Sequence, residues 1–230
     1  LCLDLPEGNW QSIHFHGRHA MERQMERCEL IHGIEEFSSS RGTSSHQQNP
    51  TILLCEKECT ETSGFCVGAA LMYSGGFQTQ IEKDQLKQVR VVMGINPETF
   101  SWKLNASERF NTPEVILSCS MEGTAKLSQQ FHKIIRHNVC RGKYQLSQRP
   151  ILINNWEATY FDFDEKKILD IAKEASKIGI DMFVLDDGWF GKRDSDNSGL
   201  GDWYVNENKI KGGLANLISK INDLGMKFGI

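Results

Sequence analysis

The sequence predicts two folds in tandem: an antiparallel β-sandwich first, then the opening βα units of a parallel α/β fold. Three observations predict it. Short apolar runs between turn residues fill the chain up to about residue 145. Strand and helix patterns alternate from Pro150 onward. The 230 residues are 39 % hydrophobic and 24 % charged, an ordinary globular mix able to bury a core.

The sandwich strands are read in order. Thr51 to Cys55 is a short apolar run, and Phe65 to Tyr73 is another, closed by Ser74-Gly75-Gly76. Phe77 to Ile81 alternates, and Gln88 to Met93 follows a charged stretch. Asn96-Pro97 and Asn111-Thr112-Pro113 punctuate before Val115 to Cys119 resumes the pattern. Ser38 to Pro50 is polar and reads as one long loop. Thr124 to His137 reads as a helix, because Leu127, Phe131, Ile134 and Ile135 share one face at a 3.6-residue period. Arg141 to Arg149 is polar and reads as a connector.

The second part repeats a unit. Ile151 to Ile153 is a strand, and Asp162-Phe163-Asp164-Glu165 offers capping groups to a helix. Ile168, Ile171, Ala175 and Ile178 give that helix an apolar face, and Gly179 stops it. Met182 to Leu185 is apolar on both faces, as a buried parallel strand requires. A polar loop runs from Asp186 to about Asn208. Leu214, Leu217, Ile218, Ile221 and Leu224 form a second helix ended by Gly225, and Met226 to Ile230 begins a third strand. Such a βαβαβ run fits a doubly wound sheet or a (β/α)8 barrel, and a whole barrel needs about 250 residues. The chain starts at Leu1 and stops inside an apolar run at Ile230, which reads as a segment of a longer protein.

Composition excludes several partners. With 26 Lys and Arg against 30 Asp and Glu, the formal charge is −4, so no basic field gathers nucleic acid or an anionic membrane. The longest apolar stretch, Phe65 to Tyr73, is too short to span a bilayer. Seven scattered cysteines, an odd number, suggest reduced thiols and a cytoplasmic protein. Cys55, Cys59 and Cys66 match no common zinc-finger spacing, so no metal is expected there.

Ligands of parallel α/β folds sit at the carboxyl ends of the strands. Two stretches qualify: Asn154-Asn155-Trp156-Glu157 and Asp186-Asp187-Gly188-Trp189. Gly188 permits a turn that lets both carboxylates face one ligand. Carboxylates accept strong hydrogen bonds from hydroxyl groups, and an indole offers a flat apolar face to a sugar ring. The plainer reading is a helix cap or loop salt bridge beside a core tryptophan. Asp194-Ser195-Asp196-Asn197-Ser198-Gly199 begins like an EF-hand loop, but its twelfth position is Val205 where glutamate is needed, so a turn-rich loop is the simpler reading. His14 and His16 would share a strand face, with Glu22 the nearest candidate carboxylate and satisfied or solvated histidines the plainer alternative. Neither Gly75-Gly76 nor Gly212-Gly213 makes a phosphate loop, and His46 has no hydrolase triad around it.

Pro150-Ile151-Leu152-Ile153-Asn154-Asn155-Trp156-Glu157-Ala158-Thr159-Tyr160-Phe161 resembles the first barrel strand of the glycoside hydrolase family 36 α-galactosidases. Leu185-Asp186-Asp187-Gly188-Trp189-Phe190-Gly191, with Leu200-Gly201-Asp202-Trp203, is similar to that family's second strand and loop. Arg41-Gly42-Thr43-Ser44-Ser45-His46-Gln47 and Arg136-His137-Asn138 resemble its N-terminal domain, so the likeness spans essentially the whole chain. The resemblance implies a multi-domain β plus α/β protein. Residues 1–123 would be part of an N-terminal antiparallel β-supersandwich and 124–149 a linker helix and connector. Residues 150–230 would be the first two to three βα units of a truncated (β/α)8 TIM barrel. It implies that Asp186 and Asp187 bind hydroxyls of a terminal galactose, that Trp156 lines the pocket and that Trp189 supports it. The retaining mechanism uses two carboxylates, nucleophile and acid/base; by resemblance both are aspartates downstream of Ile230, so no catalytic residue is expected in this segment. Implied partners are α-galactoside oligosaccharides of the raffinose type, with a homo-oligomeric parent and no cofactor. A galactosyltransferase, an α-N-acetylgalactosaminidase and a non-catalytic carbohydrate-binding protein are the alternatives.

Overall fold

The structure is a computed structural model that describes residues 1–98 and 100–230. It divides into two units, Leu1–Arg141 and Gly142–Ile230. In the first unit the strands are β1 (Cys2–Leu5), β2 (Trp10–Arg18), β3 (Met21–Glu29), β4 (Gly33–Ser39), β5 (Gln48–Glu56), β6 (Cys66–Leu71), β7 (Phe77–Lys83), β8 (Val89–Ile95) and β9 (Val115–Ser120). They form two antiparallel sheets, ordered β1-β8-β7-β4 and β3-β2-β5-β6-β9.

Alternation builds the layers. Along β5, Ile52 and Leu54 face the sandwich core with Trp10, Phe77, Ile81 and Met93. Leu53 and Cys55 point to the opposite face, which is covered by helix α1 (Gly123–Ile134) through Leu127 and Phe131. That helix therefore packs with the first unit, and one π-helical turn (Ile135–Val139) extends it. Gly68 of β6 lies beneath it: an added Cβ would come within 2.5 Å of the Phe131 ring. The same layer gathers three thiols, with the sulfurs of Cys55, Cys59 and Cys66 within 4.8 Å of one another. Burial pushes the Cys55 and Cys66 thiols up to about 12.

The strand reading between residues 51 and 119 matches the structure closely, whereas the expected loop from Ser38 to Pro50 is shorter. Strand β4 runs to Ser39 and β5 starts at Gln48. Pro50 is tolerated inside β5 because the ladder to β6 begins only at Thr51 and the pairing with β2 is irregular between His14 and His16. Strand β3 has no hydrophobic alternation and is exposed along its whole length. It is a charged sheet edge, held by pairing with β2 and protected by those charges from adding another strand.

In the second unit, β10 (Leu152–Asn154), β11 (Met182–Val184) and β12 (Lys227–Gly229) form a parallel sheet in that order. One helical turn, α2 (Trp156–Thr159), follows β10, then α3 (Glu165–Lys177) crosses to β11 and α4 (Gly213–Asn222) to β12. The row Ile153, Phe183, Phe228 faces these helices and buries against Ile168, Ala172, Leu217 and Ile221. The next row, Asn154, Val184 and Gly229, alternates to the face the helices leave bare. Gly179 and Gly225 end α3 and α4 with φ of 86° and 79°, a left-handed conformation that glycine adopts without strain.

Asp164 begins α3: its carboxylate accepts from the Lys167 backbone N–H at 2.8 Å. Asp164→Ala is expected to cost about 1 kcal/mol, the usual value of such a cap. A urea midpoint equal to that of the parent protein would show that the bond adds nothing.

Candidate functional site

The site is built from the ends of β10 and β11. The buried Asn155 accepts the Asp186 backbone N–H on its side-chain oxygen at 2.8 Å and donates to Thr159 Oγ1 at 2.9 Å. One side chain thus fastens the end of one strand to the start of the next loop. Its neighbour Asn154 donates Nδ2 to Asp186 Oδ2, and its oxygen accepts from the Trp156 backbone N–H at 2.7 Å. Asp186 Oδ1 accepts the Asp187 N–H at 2.7 Å. Asp186 follows Val184 on the helix-free face. It is half-buried and has no basic partner among the described residues. Each carboxylate oxygen has room for a further hydrogen bond.

Asp187 is in a different state. Arg193 donates to it in a fork, Nε to Oδ1 at 2.9 Å and a terminal nitrogen to Oδ2 at 2.7 Å. Gly188 adds its backbone N–H to Oδ1 at 2.7 Å. The Arg193 guanidinium holds the Asp187 carboxyl below the usual carboxylate range. Gly188 makes the turn with φ of 90°, and an added Cβ there would meet Phe161 at 3.1 Å and Phe163 at 3.3 Å.

Arg193 also explains the loop that reads like a calcium ligand. Its remaining terminal nitrogen donates to the carbonyls of Ser195 at 2.8 Å, Asp196 at 2.8 Å and Ser198 at 2.9 Å. The loop wraps around a guanidinium. Lys209 supplies a second, half-buried cation, donating to the carbonyls of Phe161, at 3.0 Å, and Gly188, at 3.0 Å, and pairing with Asp194 at 2.8 Å. Sequence reasoning passed over both residues. The available signal was a basic pair, Lys192-Arg193, inside an otherwise acidic and polar loop, with Lys209 just past its end.

Trp156 is half-buried and meets Phe161 edge to face at 4.9 Å and Tyr160 at 5.3 Å. Its backbone hangs from Asn154, the residue that also holds Asp186. Trp189 packs on the unit's core and edge-on to Phe190 at 5.2 Å. Trp203 is 68 % exposed and leans on Phe190 at 4.6 Å. In the other unit, His14 and His16 do share a face, but the carboxylate that meets them is Glu26 of β3, at 3.2 and 3.1 Å, not Glu22. His14 stands directly across the hairpin from Glu26, a partnership set by register that spacing along the chain does not reveal.

Two families match: the glycosyl hydrolase family 36 N-terminal domain over residues 1–105 and melibiase over residues 109–230. The bifunctional α-galactosidase/sucrose kinase AgaSK of Mediterraneibacter gnavus is 56 % identical over all of this chain, which covers 24 % of that protein. The α-galactosidase AgaA of Geobacillus stearothermophilus is 47 % identical, again over all of this chain and 32 % of its own length. The AgaA crystal structure superposes with a TM-score of 0.95 at 48 % identity, over 99 % of this chain and 32 % of that one. Crystal structures of AgaA variants hold stachyose and raffinose. The present chain thus spans about a quarter to a third of the length of these relatives, and its parallel sheet is the start of the melibiase barrel. Two antiparallel sheets, a βα repeat with paired aspartates at a strand end, and two adjoining family matches agree: the chain belongs to glycoside hydrolase family 36, the melibiase family.

Proposed function

We propose that this chain is part of a retaining α-galactosidase that releases terminal α-galactosyl residues from raffinose-type oligosaccharides, and that this part of the enzyme grips the galactose. The observation that carries the reading is Asp186: a carboxylate without a basic partner among the described residues, at the carboxyl end of a parallel strand, fixed by Asn154 and Asn155 on the helix-free face. In a barrel that face is the interior, and hydroxyl groups are natural donors to such a carboxylate. Asp187, oriented by Arg193, keeps a 26 % exposed side chain beside it and contributes a second acceptor. Trp156 supplies the apolar wall, and Trp189 supports the loop from behind.

The nucleophile and the acid/base are assigned to the part of the relatives this chain does not cover. Retention needs those two carboxyl groups about 5–5.5 Å apart across the scissile bond. Seven free cysteines, three of them buried together, support a reducing, cytoplasmic setting. No helix among the described residues is long and apolar enough to cross a membrane.

The test is 4-nitrophenol release from the aryl α-galactoside. The intact protein is expected to cleave it and to deliver α-galactose first, seen by proton NMR. The 230-residue segment alone is expected to release none. Inversion by the intact enzyme, or turnover by the segment, would overturn the assignment of the reacting carboxylates.

A further inference from the structure

We propose that Cys55, Cys59 and Cys66 form a trithiolate site for one soft divalent cation of the zinc or cadmium type. The three come from different places. Cys55 is the last residue of β5 but one, Cys66 begins β6 directly opposite it, and Cys59 lies in the turn between the strands. Register faces Cys55 toward Cys66, and the turn folds Cys59 back over the pair. Among the described residues this is the one group of three metal-ligating side chains with donor atoms so close, within 4.8 Å. Three sulfurs bound to zinc at about 2.3 Å stand about 3.8 Å apart in tetrahedral geometry. Closing the cluster on an ion therefore asks for about 1 Å of side-chain adjustment and no change of strand register.

The surroundings hold the donors in place. Ile13, Leu127 and Phe131 pack around the three thiols. The turn is clamped from outside: the backbone N–H groups of Thr124 and Ala125, at the start of α1, donate to the carbonyls of Thr60 and Glu61 at 3.1 and 3.0 Å. Gly64 lets the turn close, since an added Cβ would lie 2.7 Å from the Cys59 Cα. Charge selects a divalent ion. Three thiolates around a 2+ ion leave one net negative charge among apolar side chains. One cation stands next to the site: Arg27, which donates to the Cys59 carbonyl at 2.8 Å. A monovalent ion would leave two negative charges against the same single arginine, at greater desolvation cost. Cys119 is no fourth ligand: it pairs with Val67, one residue out of step with Cys66, so it points to the other face of the sheet. The fourth zinc position falls to a small exogenous ligand, as at three-ligand zinc sites generally.

The experiment uses the intact protein, reduced and free of oxygen, titrated with Cd(II) and followed by sulfur-to-cadmium charge-transfer absorption. X-ray absorption on the cadmium and zinc forms counts the sulfur neighbours. One equivalent is expected to bind with three sulfurs per ion. Cys59→Ala is expected to weaken binding at least tenfold, while Cys119→Ala leaves it unchanged. Cys59 lies in a turn, so its truncation spares both strands, and the sulfur count on the unaltered protein decides the matter even if that variant fails to fold. Fewer than three sulfurs, equal affinity in Cys59→Ala, or a Cys55–Cys66 disulfide in the protein as isolated would each overturn the proposal.

Discussion

Replacing Asp186 by alanine in the intact protein is expected to lower kcat/KM for the aryl α-galactoside by a factor on the order of 10² or more, with little change in melting temperature. The carboxylate is the one member of the acid pair left without a cation among the described residues. A hydrogen bond to a charged group is worth about 1.5–3 kcal/mol, and tenfold in rate corresponds to about 1.4 kcal/mol. Removing one or two hydroxyl hydrogen bonds from the transition state thus accounts for the expected factor. Stability should change little because Asp186 points to the helix-free face, where water can replace its carboxylate as acceptor for the Asn154 amide and the Asp187 N–H, and because its own N–H stays bonded to the Asn155 side chain. Asp186→Asn keeps the shape and removes the charge, so its loss should be smaller than that of alanine. Asp187→Ala should behave differently and lose activity and stability together, since it strands a buried arginine. Kinetics within threefold of the parent for Asp186→Ala would remove this side chain from the sugar pocket.

Much of the second unit was legible because its signals are local. Met182 to Leu185 is apolar on both faces, Gly179 and Gly225 mark the helix ends, and Asp164 caps where a capping residue was expected. The acid pair was legible for the same reason: two carboxylates follow a fully apolar strand. What the sequence concealed is relational. The difference between Asp186 and Asp187 depends on Arg193, six residues on in a loop whose composition says only that it is polar. Strand β3 carries no periodicity because neither of its faces is buried, so it exists only through its pairing with β2. The cysteine cluster depends on the register that sets Cys55 against Cys66, and spacing alone made the trio look unremarkable. The Glu26 partnership of His14 and His16 follows from register in the same way.

Arg193→Met is expected to destabilise the protein clearly, because it removes one partner of a charge-assisted fork and leaves the other carboxylate without its cation. The Arg193 side chain is only 7 % exposed, and that of Asp187 26 %. Methionine preserves much of the apolar stem over the Phe161 ring, which the guanidinium carbon now faces at 5.5 Å. It removes every donor to Asp187 from that side and leaves the carbonyls of Ser195, Asp196 and Ser198 without their shared partner. Activity should fall as well, because Asp187 loses its orientation next to Asp186. The pH dependence supplies an independent signature. Arg193 depresses the Asp187 pKa, so the pair contributes its full stability above the unfolded carboxyl value of about 3.9 and loses it as pH falls through the lower folded value. The parent protein should therefore shed this increment below about pH 4, whereas Arg193→Met, which has already lost it, should show a flatter acid limb. Urea midpoints at pH 7 and pH 3 separate the two effects. A variant within about 0.5 kcal/mol of the parent at pH 7, the scale of an ordinary surface substitution, would mean that the arginine fork does not hold the loop, and that Asp187 is as free to meet a sugar as its neighbour.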